Sequence, residues 1–169
     1  MTAKLHQIFQ NHNGKISDKW TLYIREFEDL FEEIRDKEIN LFEIGVQNGG
    51  SLEIWAKYFT KANKIIGCDI NKVCENLIFS DPRISVIIGD ANSDRVEEQL
   101  SRSVSGLDII IDDGSHNSSD IINSFSRYLK YVNYEGLYII EDLHTSYWES
   151  YEGGLHNPFS AVAFFKRLV

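Results

Sequence analysis

Cysteine is scarce in this sequence. Cys68 and Cys74 are its two cysteines, too few for a disulfide framework. Long apolar runs are missing as well. No stretch approaches about 18 consecutive apolar residues, and the N-terminus has no apolar leader core, so neither a membrane span nor a secretion signal is read. A cytoplasmic protein with no membrane partner is expected. Basic residues are outnumbered, 17 against 26 acidic, for a formal net charge of −9. That disfavours nucleic acid as a partner, because phosphate binding needs a positive face. It leaves surplus carboxylates that could hold a divalent cation. Repeats and low-complexity segments are also lacking. What remains is 169 residues with 43% hydrophobic and 25% charged side chains, an ordinary balance for one globular domain. We read residues 1–169 as a single domain, with an N-terminal helical segment over 1–39 and a sheet core over 40–169.

The chain does have a glycine turn between a predicted strand and a predicted helix. Residues 40–55 read NLFEIGVQNGGSLEIW: an apolar run over Leu41 to Val46, then Gly49 and Gly50, then a helix opening at Ser51. Glycine accepts positive φ and has no Cβ, so such a turn lets backbone pass close beneath a nucleotide-like ligand. Further strands are predicted at 64–69, 84–88, 107–111 and 136–140. Helices are predicted at 20–36, 51–59, 71–79, 94–101 and 118–132, and residues 1–16 read as a loop or short helix. In the first long helix, Leu22, Phe27, Leu30, Phe31 and Ile34 mark a buried face. The strands are continuous apolar runs alternating with helices. This predicts an α/β fold, a Rossmann-like doubly wound, mostly parallel sheet with helices on both faces.

Every predicted strand ends in or runs into an acid. Glu43 lies in the first, Asp69 ends the second, Asp90 follows the third, Asp112 and Asp113 the fourth, and Glu141 and Asp142 the fifth. In an open parallel sheet these positions share one edge, where ligands bind. Asp69 can accept from ribose hydroxyls; the alternative is a cap for the segment opening at Asn71. Asp90 can accept from an adenine amino group, with Ala91 leaving room for the ring. Gly45 and Gly49 let the turn approach the cofactor, and Ser51 opens the helix beneath it. EIGVQNGG is not a GxGxxG, and no pyrophosphate cradle is evident. The cofactor that fits is S-adenosyl-L-methionine, which has an adenosine and a charged amino acid tail but no phosphate. Glu43 suits its cationic end.

A second constellation is IIIDDGSHNSSD with IIEDLHTSYW. Asp113 and His116 share one loop, and Asp142 follows the neighbouring strand. Two carboxylates and a histidine at one sheet edge suggest a metal site, a base, or both. Oxygen ligands suit Mg²⁺, and an imidazole can take a proton near neutral pH. The alternative is a turn at Asp113-Gly114-Ser115 with His116 capping the helix after it. His144, Tyr147, Trp148 and Tyr151 are candidates for an acceptor pocket, with loop packing as the alternative for Tyr151.

The segments DKW, EIGVQNGGSLEIW, IIGCDI, DDGSH and IIEDLHTSYW, spanning residues 18 to about 148, carry a resemblance. The chain resembles class I S-adenosylmethionine-dependent methyltransferases. Among them it is most similar to the metal-dependent sugar O-methyltransferases of macrolide biosynthesis, the mycinamicin and macrocin type, and the related cephalosporin hydroxylase-like group. The resemblance implies methyl transfer to a sugar or polyol hydroxyl of a small molecule. It implies Asp113 and Asp142 as Mg²⁺ ligands, Glu141 as a further ligand, and His116 as general base. A third acidic ligand would come from upstream of the first strand, where Glu28 is the nearest candidate without a motif to fix it. Asp112 is carried over to the cofactor side. Two alternatives stand beside this, a hydroxylase-like enzyme and a non-catalytic scaffold domain. AVAFFKRLV at 161–169 reads as the middle of a fifth helix, so strands six and seven of the usual fold are missing from this sequence and truncation is expected. The edge so exposed would make a homo-oligomer surface.

Overall fold

A computed structural model describes residues 3–168. One sheet contains β1 (Asn40–Ile44), β2 (Lys64–Asp69), β3 (Ile84–Ile88), β4 (Leu107–Asp112) and β5 (Val132–Ile140). All neighbours are parallel, in the order β3-β2-β1-β4-β5. The expected Rossmann-like sheet is present, with five strands among the described residues. The helices are α1 (Leu5–Gln10), α2 (Thr21–Phe31), α3 (Gly50–Tyr58), α4 (Asp94–Ser103), α5 (Ser118–Tyr128) and α6 (Ala161–Phe165).

Two cores explain why the strands read as unbroken apolar runs. Leu41, Ile65, Ile109 and Ile111 pack with Phe27, Phe31 and Trp55. Phe42, Ile66, Cys68 and Ile110 pack with Val96, Leu100 and Tyr128. Successive residues of a strand point to opposite faces, so a strand covered on both sides must be apolar throughout. Phe31 sits edge-on to Trp55 with ring centres 5.8 Å apart, and both are fully buried. Truncating Phe31 to alanine should cost about 3–5 kcal/mol.

Four sequence expectations need correction. The face of α2 is Ile24, Phe27 and Phe31, while Leu22 and Leu30 are exposed. The helix also stops at Phe31, where the chain tightens into turns closed by Ile34 N–H to Phe31 O and Lys37 N–H to Ile34 O. The helix expected over 71–79 is a short 3-10 segment, Lys72–Asn76. Val73 and Ile78 point to solvent there, so no apolar stripe exists to bury a longer helix. The helix expected to reach Val132 ends at Tyr128, and β5 begins at Val132. Between the pairs Leu107–Val132 and Ile109–Leu137 the register shifts, and the extra β5 residues form a bulge with Glu135 at φ 64°.

Candidate active site

The strand order reverses between β1 and β4, and a crevice opens there at the carboxyl ends of the strands. A cavity of about 600 Å³ occupies it, lined by Gly45, Asp69, Asp90 and Ala91 on the β1–β3 side and by Asp113, His116, Glu141 and Asp142 on the β4–β5 side. Ser51 and Asp112 also line it.

The β1–β3 side is built on main-chain hydrogen bonds. Asp69 Oδ2 accepts from the N–H groups of Val46 and Gln47, both at 2.9 Å, and Oδ1 accepts from Asn71 N–H at 2.8 Å. The capping bond to Asn71 is therefore real, and Asp69 also pins the glycine turn. A carboxylate has about four acceptor positions, so three bonds leave room for one ribose hydroxyl. Asp90 Oδ1 accepts from Asn92 N–H at 2.8 Å and its side chain is open to solvent. Ala91 lends its carbonyl to the buried Tyr128 hydroxyl.

The glycines answer to the chain itself. Gly45 has φ 93°, and a Cβ there would lie 2.0 Å from the Asp113 carbonyl oxygen. Gly49 has φ 80° at the N-cap of α3, and a Cβ would lie 2.7 Å from the Phe79 ring. Gly49 stands outside the cavity lining. So does Glu43, which is fully buried and accepts from Ser51 Oγ at 2.7 Å and from Trp55 Nε1 at 3.3 Å. The cation beside Glu43 is the chain's own Lys19, with Nζ 3.1 Å from Oε1. Asp112 is buried too, its Oδ2 accepting from Ser124 Oγ at 2.6 Å. Burial pushes its carboxyl up to about 6, against the opposing pull of that bond.

On the other side, His116 Nε2 lies 3.9 Å from Asp113 Oδ1 and 3.7 Å from Asp142 Oδ2. Ligand atoms of these three lie within 4.8 Å of one another. A donor set of two carboxylates and one imidazole fits a hard or borderline divalent cation. Both His116 and Asp142 have left-handed backbones, at φ 59° and 54°. Non-glycine residues rarely adopt this region. Thr145 holds both in place, its hydroxyl shared between the carbonyls of Asp142 at 2.8 Å and His116 at 3.1 Å. Tyr23 donates its hydroxyl to Asp142 Oδ1 at 2.8 Å and accepts from Asp142 N–H at 3.2 Å. Burial and that first bond push the phenol up to about 12.

Glu141 turns inward from this group. Its Oε1 lies 2.5 Å from Lys19 Nζ, which also meets Asp113 Oδ2 at 2.8 Å. Burial by itself would lower the pKa of Lys19, but Glu43, Glu141 and Asp113 reverse this and hold it above the ordinary lysine range. Burial raises Glu141 while Lys19 draws it down, and the outcome is a rise.

Lys19, Tyr23 and Thr145 are site residues that the sequence alone does not assign. The DKW segment, which contains Lys19, is the signal that could have found it. The upstream contribution is a lysine rather than the acid considered there: Glu28 instead accepts from His6, Oε2 to Nδ1 2.9 Å. Among the late aromatics, His144 lies 5.9 Å from Trp20 and 5.0 Å from Trp148, and Tyr151 packs on Trp148 at 5.9 Å, centre to centre.

Known proteins resemble this chain in sequence and fold. Residues 22–143 match the model of the FtsJ-like methyltransferases. The 8-demethyl-8-alpha-L-rhamnosyl tetracenomycin-C 2'-O-methyltransferase of Streptomyces olivaceus is 34% identical over 163 residues, 90% of this chain and 42% of that protein. Demethylmacrocin O-methyltransferase of Streptomyces fradiae is 35% identical over 130 residues, 73% of this chain and 32% of that protein. A structure of the MycE methyltransferase from the mycinamycin biosynthetic pathway, in complex with Mg, SAH and mycinamycin VI, aligns with a TM-score of 0.85 at 27% identity. That alignment covers 99% of this chain and 47% of the other. The chain thus spans less than half the length of these relatives.

Proposed function

This chain belongs to the FtsJ-like methyltransferase family, and from that we propose that it transfers a methyl group from S-adenosylmethionine to a hydroxyl of a sugar-bearing small molecule, assisted by Mg²⁺. The observation that carries this reading is the meeting of Asp113, His116 and Asp142 at one side of a cavity whose other side presents Asp69, Asp90 and Ala91. The names of the relatives support the reaction and the class of acceptor, and the MycE complex supports the donor and the metal. The formal charge of −9 supports a small molecule over a nucleic acid as acceptor.

Methyl transfer needs one open face for the donor and a proton acceptor near the attacking oxygen. On the donor side, Asp69 accepts a ribose hydroxyl at its remaining lone pair. Asp90 accepts from the adenine amino group, and the small Ala91 leaves space for the ring. On the acceptor side, Asp113 and Asp142 would hold Mg²⁺, which when bound makes a neighbouring hydroxyl more acidic. Glu141 is a further candidate ligand, through the oxygen not engaged by Lys19. His116 takes the hydroxyl proton, and its Nε2 lies between the Asp113 and Asp142 carboxylates, 3.9 Å and 3.7 Å away. Tyr23 and Thr145 keep Asp142 and the His116 loop in register. Much of the acceleration comes from orientation, with both reactants held in one crevice.

The test is transfer of labelled methyl from S-adenosylmethionine onto a panel of sugars and glycosides, with and without EDTA. Transfer should vanish in EDTA and return with Mg²⁺. Full turnover in EDTA would remove the metal from the account. Absence of S-adenosylhomocysteine binding by calorimetry would remove the donor.

A further inference from the structure

We infer that Lys19 is a built-in cation for the inner half of the acidic cluster, and that it confines a divalent ion to the outer half. Two candidate cation positions share Asp113. The outer one is Asp113, His116 and Asp142; the inner one is Glu43, Asp113 and Glu141. Asp113 divides its oxygens between them, with Oδ2 2.8 Å from Lys19 Nζ and Oδ1 3.9 Å from His116 Nε2.

The inner group is not a scatter of surface acids. Glu43 is 0% exposed and Glu141 5%, and the Lys19 side chain itself is 5% exposed. Glu43 Oε1 is buried without a hydrogen bond and faces Lys19 Nζ at 3.1 Å. Carboxylates this close repel one another, and burial strips each of its hydration. A cation among them offsets both effects. The Lys19 ammonium donates to Asp113 Oδ2 and Glu141 Oε1 and meets Glu43 Oε1 as an ion pair. Lys19 Nζ lies within 3.1 Å of all three partners, which leaves no space for a second cation at the same point. Being covalently tethered, it stays there whatever the concentration of free ions.

This has a consequence for the outer group. By holding Asp113 Oδ2, Lys19 turns Oδ1 toward His116 and Asp142. It is therefore a positioning residue, acting on the outer group through Asp113. The role of Asp113 and Asp142 as the ion's seat, with His116 beside it as base, rests on the function proposed above; the occupancy of the inner group does not.

The experiment is calorimetric titration of the full chain with Mn²⁺, wild type against Lys19→Met, with thermal unfolding in EDTA and in Mn²⁺. The variant should bind one more Mn²⁺ per chain than wild type. It should also lose about 10 °C in Tm in EDTA, because three buried carboxylates lose their partner, and regain most of it with Mn²⁺. An unchanged Mn²⁺ count overturns the inference. If Lys19→Met does not fold, Glu43→Gln with Lys19 intact decides the matter. Its Mn²⁺ affinity should stay within about two-fold of wild type, whereas a loss of about ten-fold would place Glu43 on the ion and overturn the inference. A wild-type count of zero would reject the metal reading of the outer group and leave Lys19 to be judged by the variant's extra site.

Discussion

The two sides of the crevice fix their carboxylates by different means. On the β1–β3 side, Asp69 and Asp90 accept from backbone N–H groups, the most distant in sequence being Val46, 23 residues away. On the β4–β5 side, Asp113, Glu141 and Asp142 are held by the side chains of Lys19 and Tyr23, which lie 94 to 122 residues earlier. The first arrangement follows from the local path of the chain. The second exists only once Lys19 and the first turn of α2 have docked against the ends of β4 and β5. The donor side should therefore tolerate side-chain changes elsewhere in the molecule, while the acceptor side should respond to substitutions in a remote segment.

The hardest blow to that contrast is His116→Ala. Turnover should fall by about 100-fold or more, the usual size of a lost general base, with S-adenosylhomocysteine affinity unchanged by calorimetry. Unchanged turnover would strip His116 of its role. A smaller effect, on the opposite side, is expected from Asp69→Ala. It removes the acceptor of three backbone bonds, so S-adenosylhomocysteine binding should weaken by about ten-fold, with a Tm lower by about 2–4 °C for each kcal/mol lost. Mn²⁺ binding should be untouched, and a parallel loss of Mn²⁺ would show that the two sides are one unit. The finest cut is Tyr23→Phe, which keeps the ring and deletes the hydroxyl that meets Asp142. Of its two bonds to Asp142, the one donated to the carboxylate bears on the ion; it is worth about 0.5–1.5 kcal/mol, so Mn²⁺ affinity should fall by about two- to ten-fold while donor binding holds. Equal losses of both ligands would again erase the distinction.

The same contrast decides what was legible before the structure. The parallel sheet could be read because burial on both faces forces unbroken apolar runs such as Ile109 to Ile111. The acids at the strand ends could be read because parallel strands deliver their termini to one edge. Asp113 and His116 share a loop, and Asp142 follows the adjacent strand, so their meeting was a matter of topology. Lys19 gave no such sign. A lone lysine ahead of a helix looks like any solvated lysine, and its partners are fixed by docking, not by spacing. Glu43 was legible as an acid in a strand, but its burial behind Lys19 was not. Gly45 and Gly49 read as places where the turn approaches a cofactor, and in the structure a side chain at either would meet the chain itself. The obstacles are the Asp113 carbonyl and the Phe79 ring, two pieces of the protein that sequence order alone does not bring near. The start of β5 was missed because Asn133, Tyr134 and Glu135 are exposed and break the apolar run.

The left-handed backbones of His116 and Asp142 have one more consequence. Glycine would relax either position by about 1 kcal/mol, and both relaxations would remove a functional group from the crevice. Easing the backbone alone would push both positions toward the residue that cannot do chemistry. Backbone ease and reactivity are opposed at these two positions, and a descendant relaxed there would be an idle one.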